Sequence, residues 1–157
     1  MSSCTDRAYA AGIIDGEGCI FVFRSSSKTA TRRMAHSLVV NVTMTEFETL
    51  EWLKSVFGGA VYGNGIPRKK EWNAARRWEL RNTKAQKFLR LIINFLKVKR
   101  RQAEVAIAME CFDVKTGRPH SISDETFARR EECYFQLREL KIRNKGKVLR
   151  EAQVSRE

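Results

Sequence analysis

The chain has 157 residues, 43% of them hydrophobic and 31% charged, the proportions of a single folded domain rather than a disordered segment. Thirty Lys and Arg against 18 Asp and Glu leave a net charge of +12, which points to a polyanionic partner. Apolar runs such as residues 89–96 are too short and too interrupted to cross a bilayer, and four scattered cysteines lack the paired spacing of a zinc site. The cysteine usage and the lack of a basic–apolar leader predict an intracellular protein that is not secreted.

Thr5 and Asp6 predict the cap of a helix carrying Ala8, Tyr9, Ala11, Ile13 and Ile14 up to Gly16. Residues 19–24 predict a strand, residues 25–33 a Ser/Thr/Arg-rich turn, and residues 36–43 the returning strand. Thr45 and Glu48 form a Thr-x-x-Glu capping box ahead of a helix with Phe47, Leu50, Leu53 and Phe57 on one face. Gly58 and Gly59 stop it. Residues 60–62 and 76–81 predict a second strand pair, joined by a polar Gly/Pro-containing connection over 63–75. A second capping box, Thr83 to Gln86, opens a helix with Phe88, Leu89, Ile92, Ile93 and Leu96.

After the basic run of residues 97–101, an apolar helix extends from Gln102 to about Phe112. Gly117 and Pro119 break the chain, and a last long helix carries Phe127, Tyr134, Leu137 and Leu140. Cys19 and Cys111 are expected to fill core space. The order predicts one α+β domain over residues 1–142, with a four-stranded antiparallel sheet and extra C-terminal helices. A basic, frayed tail is expected over 143–157.

One stretch stands apart: Tyr9-Ala10-Ala11-Gly12-Ile13-Ile14-Asp15-Gly16-Glu17-Gly18-Cys19-Ile20. Ala8, Gly12 and Gly16 recur every fourth residue, so small side chains line one helix face. Such a stripe serves close packing on the chain's own sheet, or the approach of a second helix. Glu17 sits at the helix exit, where unpaired carbonyls and the macrodipole are negative. A carboxylate there completes an oxygen-rich nest suited to a hard divalent cation.

This stretch, with the αββαββα order and the basic turn near Lys99, resembles the LAGLIDADG homing endonucleases, and the likeness covers most of the chain. The resemblance implies a curved sheet on double-stranded DNA and a homodimer built through Ala8, Gly12, Asp15 and Gly16. It implies cleavage of both strands of a long, nearly palindromic target by an intron-encoded enzyme. The family's metal-binding acid falls on Glu17, with the Gly16 carbonyl as backbone ligand for Mg²⁺, which Mn²⁺ can replace. Asp15 is the structural acid of the pattern. Lys99 aligns with the basic residue beside the scissile phosphate, and Arg100 is a further DNA contact. Met44 stands where the family has a polar, water-orienting residue, with Asn41, Thr43 and Thr45 close by in sequence. The alternative is a non-cleaving nucleic-acid binder on the same fold, an intron RNA maturase or a DNA-binding regulator.

Strand alternation separates Arg77, Glu79 and Arg81, placed toward DNA, from Trp78 and Leu80, placed toward the core. The same parity puts Asn41 and Thr43 outward. It leaves the first strand open: Phe21 and Phe23 share one side, and Arg24 reaches DNA only after a bulge. Lys28, Arg32, Arg33, Arg68, Lys69 and Lys70, in the two hairpin connections, are expected to grip flanking phosphates.

Overall fold

The computed structural model describes residues 2–25, 35–63, 74–111 and 122–154, with side chains described through Lys141. Helix α1 (Cys4–Glu17) starts from Ser3 rather than from Thr5 and Asp6. The Ser3 hydroxyl accepts from the Asp6 N–H at 3.0 Å, and the Asp6 carboxylate accepts from the Ser3 N–H at 2.8 Å. Asp6 is thus the return arm of a capping box, and those hydrogen bonds hold its pKa below the usual carboxylate value.

Strands β1 (Gly18–Ser25) and β2 (Ala35–Met44) form an antiparallel hairpin, followed by α2 (Phe47–Phe57), β3 (Ala60–Tyr62) and β4 (Arg76–Arg81). The four strands pair in the order β1-β2-β4-β3, all antiparallel. Helices α3 (Asn82–Ile92), α4 (Arg100–Ala108) and α5 (Asp124–Val154) complete the chain. Among the described residues no helix is long and apolar enough to cross a membrane.

Neither predicted capping box forms. Helices α2 and α3 start from Glu46 and Arg81 without a side-chain cap bond, and in α3 tertiary partners claim the side chains of Asn82 and Gln86. Asn82 enters α3 at φ 49°, and its side-chain oxygen accepts from the Leu38 N–H at 3.1 Å. Gln86 is buried, and its amide donates to the carbonyls of Ala106, Ile107 and Met109. These are carbonyls at the end of α4 that its own ladder leaves unpaired.

One face of the sheet carries the core. Ile20, Val22, Leu38, Val40, Val42, Trp78 and Leu80 pack beneath Ile14, Leu50, Leu53, Phe88, Leu89 and Ile92. The Trp78 indole donates to the Gly58 carbonyl at 2.8 Å, which locks the end of α2 onto β4. Gly59, at φ 95°, passes so close to β4 that an added Cβ would lie 2.7 Å from the Glu79 carbonyl oxygen.

Helix α5 runs antiparallel to β1 along its free edge. Phe127 meets the His36 ring and Glu131 pairs with Arg24 and His36, while Lys141 reaches Cys19 near the start of β1. Covering an edge strand in this way blocks pairing with other chains. The backbone stays helical to Val154, past the point where the sequence predicts fraying. Lys, Arg, Leu, Glu and Ala after residue 146 are good helix formers. Cys133, not Cys19, is the buried cysteine, with its thiol donating to the Val105 carbonyl at 3.2 Å. Burial pushes the thiols of Cys111 and Cys133 up to about 11, so neither is a nucleophile near neutral pH.

Candidate active site

The exit of α1 is bound to the basic turn by one carboxylate. Asp15 accepts from the backbone N–H groups of Lys97 at 2.7 Å, Val98 at 3.2 Å and Lys99 at 2.8 Å. The ammonium of Lys99 returns the contact, donating to the carbonyls of Ile14 at 2.8 Å and Asp15 at 2.6 Å. Helix α1 has no basic residue in its own last turn, so Lys99 supplies the cation that its negative end favours. Burial lowers the pKa of Lys99, opposed by the charges of Asp15, Cys19 and Glu17 and reinforced by Lys141. Lys99 is therefore a fixed cation rather than one member of a solvated run.

Removing the Asp15 carboxylate leaves three amides without their anionic acceptor. Asp15→Ala is expected to cost about 2–3 kcal/mol, a drop in melting temperature of roughly 5–10 °C. A thermal melt by circular dichroism checks this, and an unchanged midpoint would show that Asp15 does not hold the turn.

Glu17 is exposed, and no described residue hydrogen-bonds its carboxylate. Gly16 beside it is exposed too. A carboxylate and helix-end carbonyls are hard oxygen donors, the kind that Mg²⁺ takes alongside water and phosphate oxygens. Among the described residues no group of three or more His, Cys, Asp or Glu converges on such a site.

The small-residue stripe faces outward. Ala8, Gly12 and Gly16 are exposed, and a Cβ added at Gly12 or Gly16 would meet nothing within 4 Å. The stripe does not pack on the chain's own sheet. Tyr9, on the same helix, and Val98, in the turn bound to its exit, are 54% and 64% exposed, large for apolar groups.

The sheet face opposite the core carries Phe21, Phe23, Asn41, Thr43, Arg77, Glu79 and Arg81. Register pairs Asn41 with Cys19 on one side and Glu79 on the other, and Arg77 with Thr43 and Tyr62 in the same way. Glu79 is only 5% exposed and holds Arg81 at 2.6 Å and Arg77 at 3.5 Å. The three form one ion-paired cluster instead of three independent arms.

Arg24 is a correction. Its register with His36 continues unbroken, so no bulge turns it outward, and it lies on the helix side of the sheet. There it pairs with Glu131 at 3.3 Å and stacks 4.6 Å above the Tyr134 ring. Arg100, exposed at the start of α4, pairs with Glu104 at 3.4 Å. Met44 packs partly buried against the core, while its neighbour Thr43 is exposed on the open face. Lys28, Arg32, Arg33, Arg68, Lys69 and Lys70 lie outside the described residues. Lys141, which the sequence marks only as a lysine on an amphipathic helix, also reaches this region through Cys19.

No protein-family profile matches the chain, and no curated protein matches its sequence. Solved structures do match. The homing endonuclease I-CvuI, in complex with the I-CreI target, shares 17% identity over 87% of this chain and 82% of its own, with a TM-score of 0.69. The archaeal intron-encoded homing endonuclease I-Vdi141I, complexed with DNA, shares 20% identity over 87% of this chain and 84% of its own, at TM-score 0.64. The chain has the LAGLIDADG homing-endonuclease fold. The LAGLIDADG homing endonuclease I-LtrWI, bound to target DNA, matches at TM-score 0.60 and 20% identity, over 85% of this chain but 44% of its own. Within the LAGLIDADG fold, Glu17 therefore stands where the motif helix ends and the open sheet face begins.

Proposed function

We propose that the chain is a site-specific, divalent-metal-dependent DNA endonuclease that acts as a homodimer and breaks both strands of a long, nearly palindromic target. The observation that carries this reading is the division of labour at the α1 exit. Asp15 is engaged by three amides of its own chain, whereas Glu17, two residues on, is exposed and unpartnered among the described residues. An acid left bare in a chain of net charge +12 suits a cation and a polyanion together.

The outward stripe of Ala8, Gly12 and Gly16 lets a second copy of α1 approach, bringing two Glu17 carboxylates and two Gly16 carbonyls near a two-fold axis. The same fold spans most of I-CvuI but under half of I-LtrWI, as expected of a unit that works in pairs. Mg²⁺, or Mn²⁺ in its place, would be held by Glu17 and Gly16 and supply an activated water and an electrophile for the phosphate. Lys99 holds the helix end that presents Glu17 and adds positive charge beside it.

Phe21, Phe23, Asn41, Thr43, Arg77, Glu79 and Arg81 face the major groove in this reading, and Arg100 meets a phosphate. The hairpin lysines and arginines grip the flanking backbone. An intron-encoded origin and a reducing, intracellular setting belong to the same reading; all four cysteines are free.

Met44 favours a second reading. Packed against the core, its side chain offers no amide to orient water, so a non-cleaving DNA or intron RNA binder remains the rival. Duplexes selected by binding from a randomised pool decide between them. Cutting that requires Mg²⁺ or Mn²⁺ is the expected result. Tight binding with no cutting in either metal would overturn the enzyme and leave the binder.

A further inference from the structure

Lys141 reaches the α1 exit from outside the αββαββα unit. Helix α5 meets Arg24 through Glu131 and Tyr134, and about 15 Å further along its axis it delivers Lys141 to the open face of the sheet. There the Lys141 Nζ lies 3.0 Å from the Cys19 Sγ and 5.0 Å from the Phe21 ring centroid. Cys19 and Phe21 follow Glu17 by two and four residues, so this ammonium stands on the strand that leads away from the α1 exit, close enough to Lys99 for the two charges to act on each other.

The two lysines are held very differently. Lys99 commits two of its three N–H donors to the carbonyls of Ile14 and Asp15. Lys141 has a thiol sulfur and an aromatic face, both weak partners for an ammonium. Among the described residues no oxygen accepts from it. The two ammonium groups also oppose each other, since Lys141 contributes to the lowered pKa of Lys99. Two like charges kept close, one of them with no oxygen acceptor among the described residues, create a site that a phosphate would relieve.

We propose that Lys141 is a catalytic residue: its ammonium contacts the scissile phosphate and offsets the charge that builds on its oxygens, while Lys99 stays fixed on the α1 exit. This rests on the endonuclease reading above. In the hydrolysis a bond forms from water oxygen to phosphorus, the bond from phosphorus to the leaving sugar oxygen breaks, and a water proton ends on that oxygen. Lys141 transfers no proton.

The test uses the full-length protein and duplexes selected by binding from a randomised pool in Ca²⁺. Single-turnover cutting in Mg²⁺ at saturating protein is compared for wild type, Lys141→Met and Lys141→Arg. Lys141→Met is expected to cut about 10–100-fold more slowly, with Kd in Ca²⁺ changed less than about threefold, and Lys141→Arg to recover most of the rate. Neutral methylphosphonates scanned across the central base pairs should weaken wild-type binding at one position and leave Lys141→Met indifferent there.

A Lys141→Met protein that cuts at the wild-type rate would overturn the assignment. So would a loss confined to Kd, or one that tracks a lower melting temperature and is not recovered by arginine. If wild type binds but never cuts, the endonuclease reading itself fails. The methylphosphonate scan still decides in that case, because indifference of wild type at every position rules out a Lys141–phosphate contact.

Discussion

Glu17→Gln is expected to abolish metal-dependent cutting, by about a thousandfold or more, while duplex binding stays within about threefold. The substitution preserves shape and removes one negative charge from an exposed position that contributes no described hydrogen bond to the fold. Stability should therefore be unchanged, and removing one negative charge should if anything favour binding of a polyanion. Plasmid nicking in Mg²⁺ and Mn²⁺, with gel-shift titration in Ca²⁺, reads both effects. Residual cutting near the wild-type rate would move the essential acid elsewhere. The contrast with Asp15 makes the result diagnostic: Asp15→Ala should lose activity together with stability, because its carboxylate closes the turn that carries Lys99.

Gly12→Leu is expected to separate the subunits without unfolding them. Within one chain a side chain at Gly12 meets nothing within 4 Å, and leucine is a better helix former than glycine by about 0.8 kcal/mol. The substitution should therefore cost the isolated subunit no stability of its own, and any fall in melting temperature should reflect only the lost association. Between two α1 helices in close approach the added bulk is met twice, once from each copy. At about 1–3 kcal/mol per overpacked site, association should weaken by roughly 30-fold or more. Sedimentation of wild type at the dimer mass and of Gly12→Leu at the monomer mass is the predicted outcome, with cutting lost alongside. A wild-type monomer at micromolar concentration, or a Gly12→Leu dimer of unchanged affinity, would refute the shared-helix interface.

The two experiments act on different turns of one helix, and their independence matters. Glu17→Gln should leave the dimer intact, and Gly12→Leu should leave every candidate ligand in place. Loss of activity in both would tie chemistry to the pairing of two chains.

How far local pattern carries can be judged residue by residue. The strand alternation of Trp78 and Leu80 against Arg77, Glu79 and Arg81 is a period-two signal, and the structure follows it. The helix at Cys4–Glu17, the hairpins and the order of elements were equally readable, since each is set by spacing of apolar residues and by glycine. The capping boxes failed because Thr-x-x-Glu and Thr-x-x-Gln are weak local preferences, worth about 1 kcal/mol. Gln86 gains more by closing three carbonyls near the end of α4 than by capping its own helix. Arg24 failed for a related reason. Alternation left its strand ambiguous, and Glu131, more than a hundred residues away, decided which face it serves.

By itself the sequence determined the α+β order, the helix exit that holds Asp15 and Glu17, and the basic character of the surface, because these depend on periodicity, turn chemistry and composition. Only the tertiary structure decided that Asp15 is engaged and Glu17 is bare, that Lys99 caps a helix it does not belong to, and that Lys141 stands beside it. Those relations join residues more than 80 positions apart, and no local spacing encodes a contact whose two halves meet only after the chain has packed.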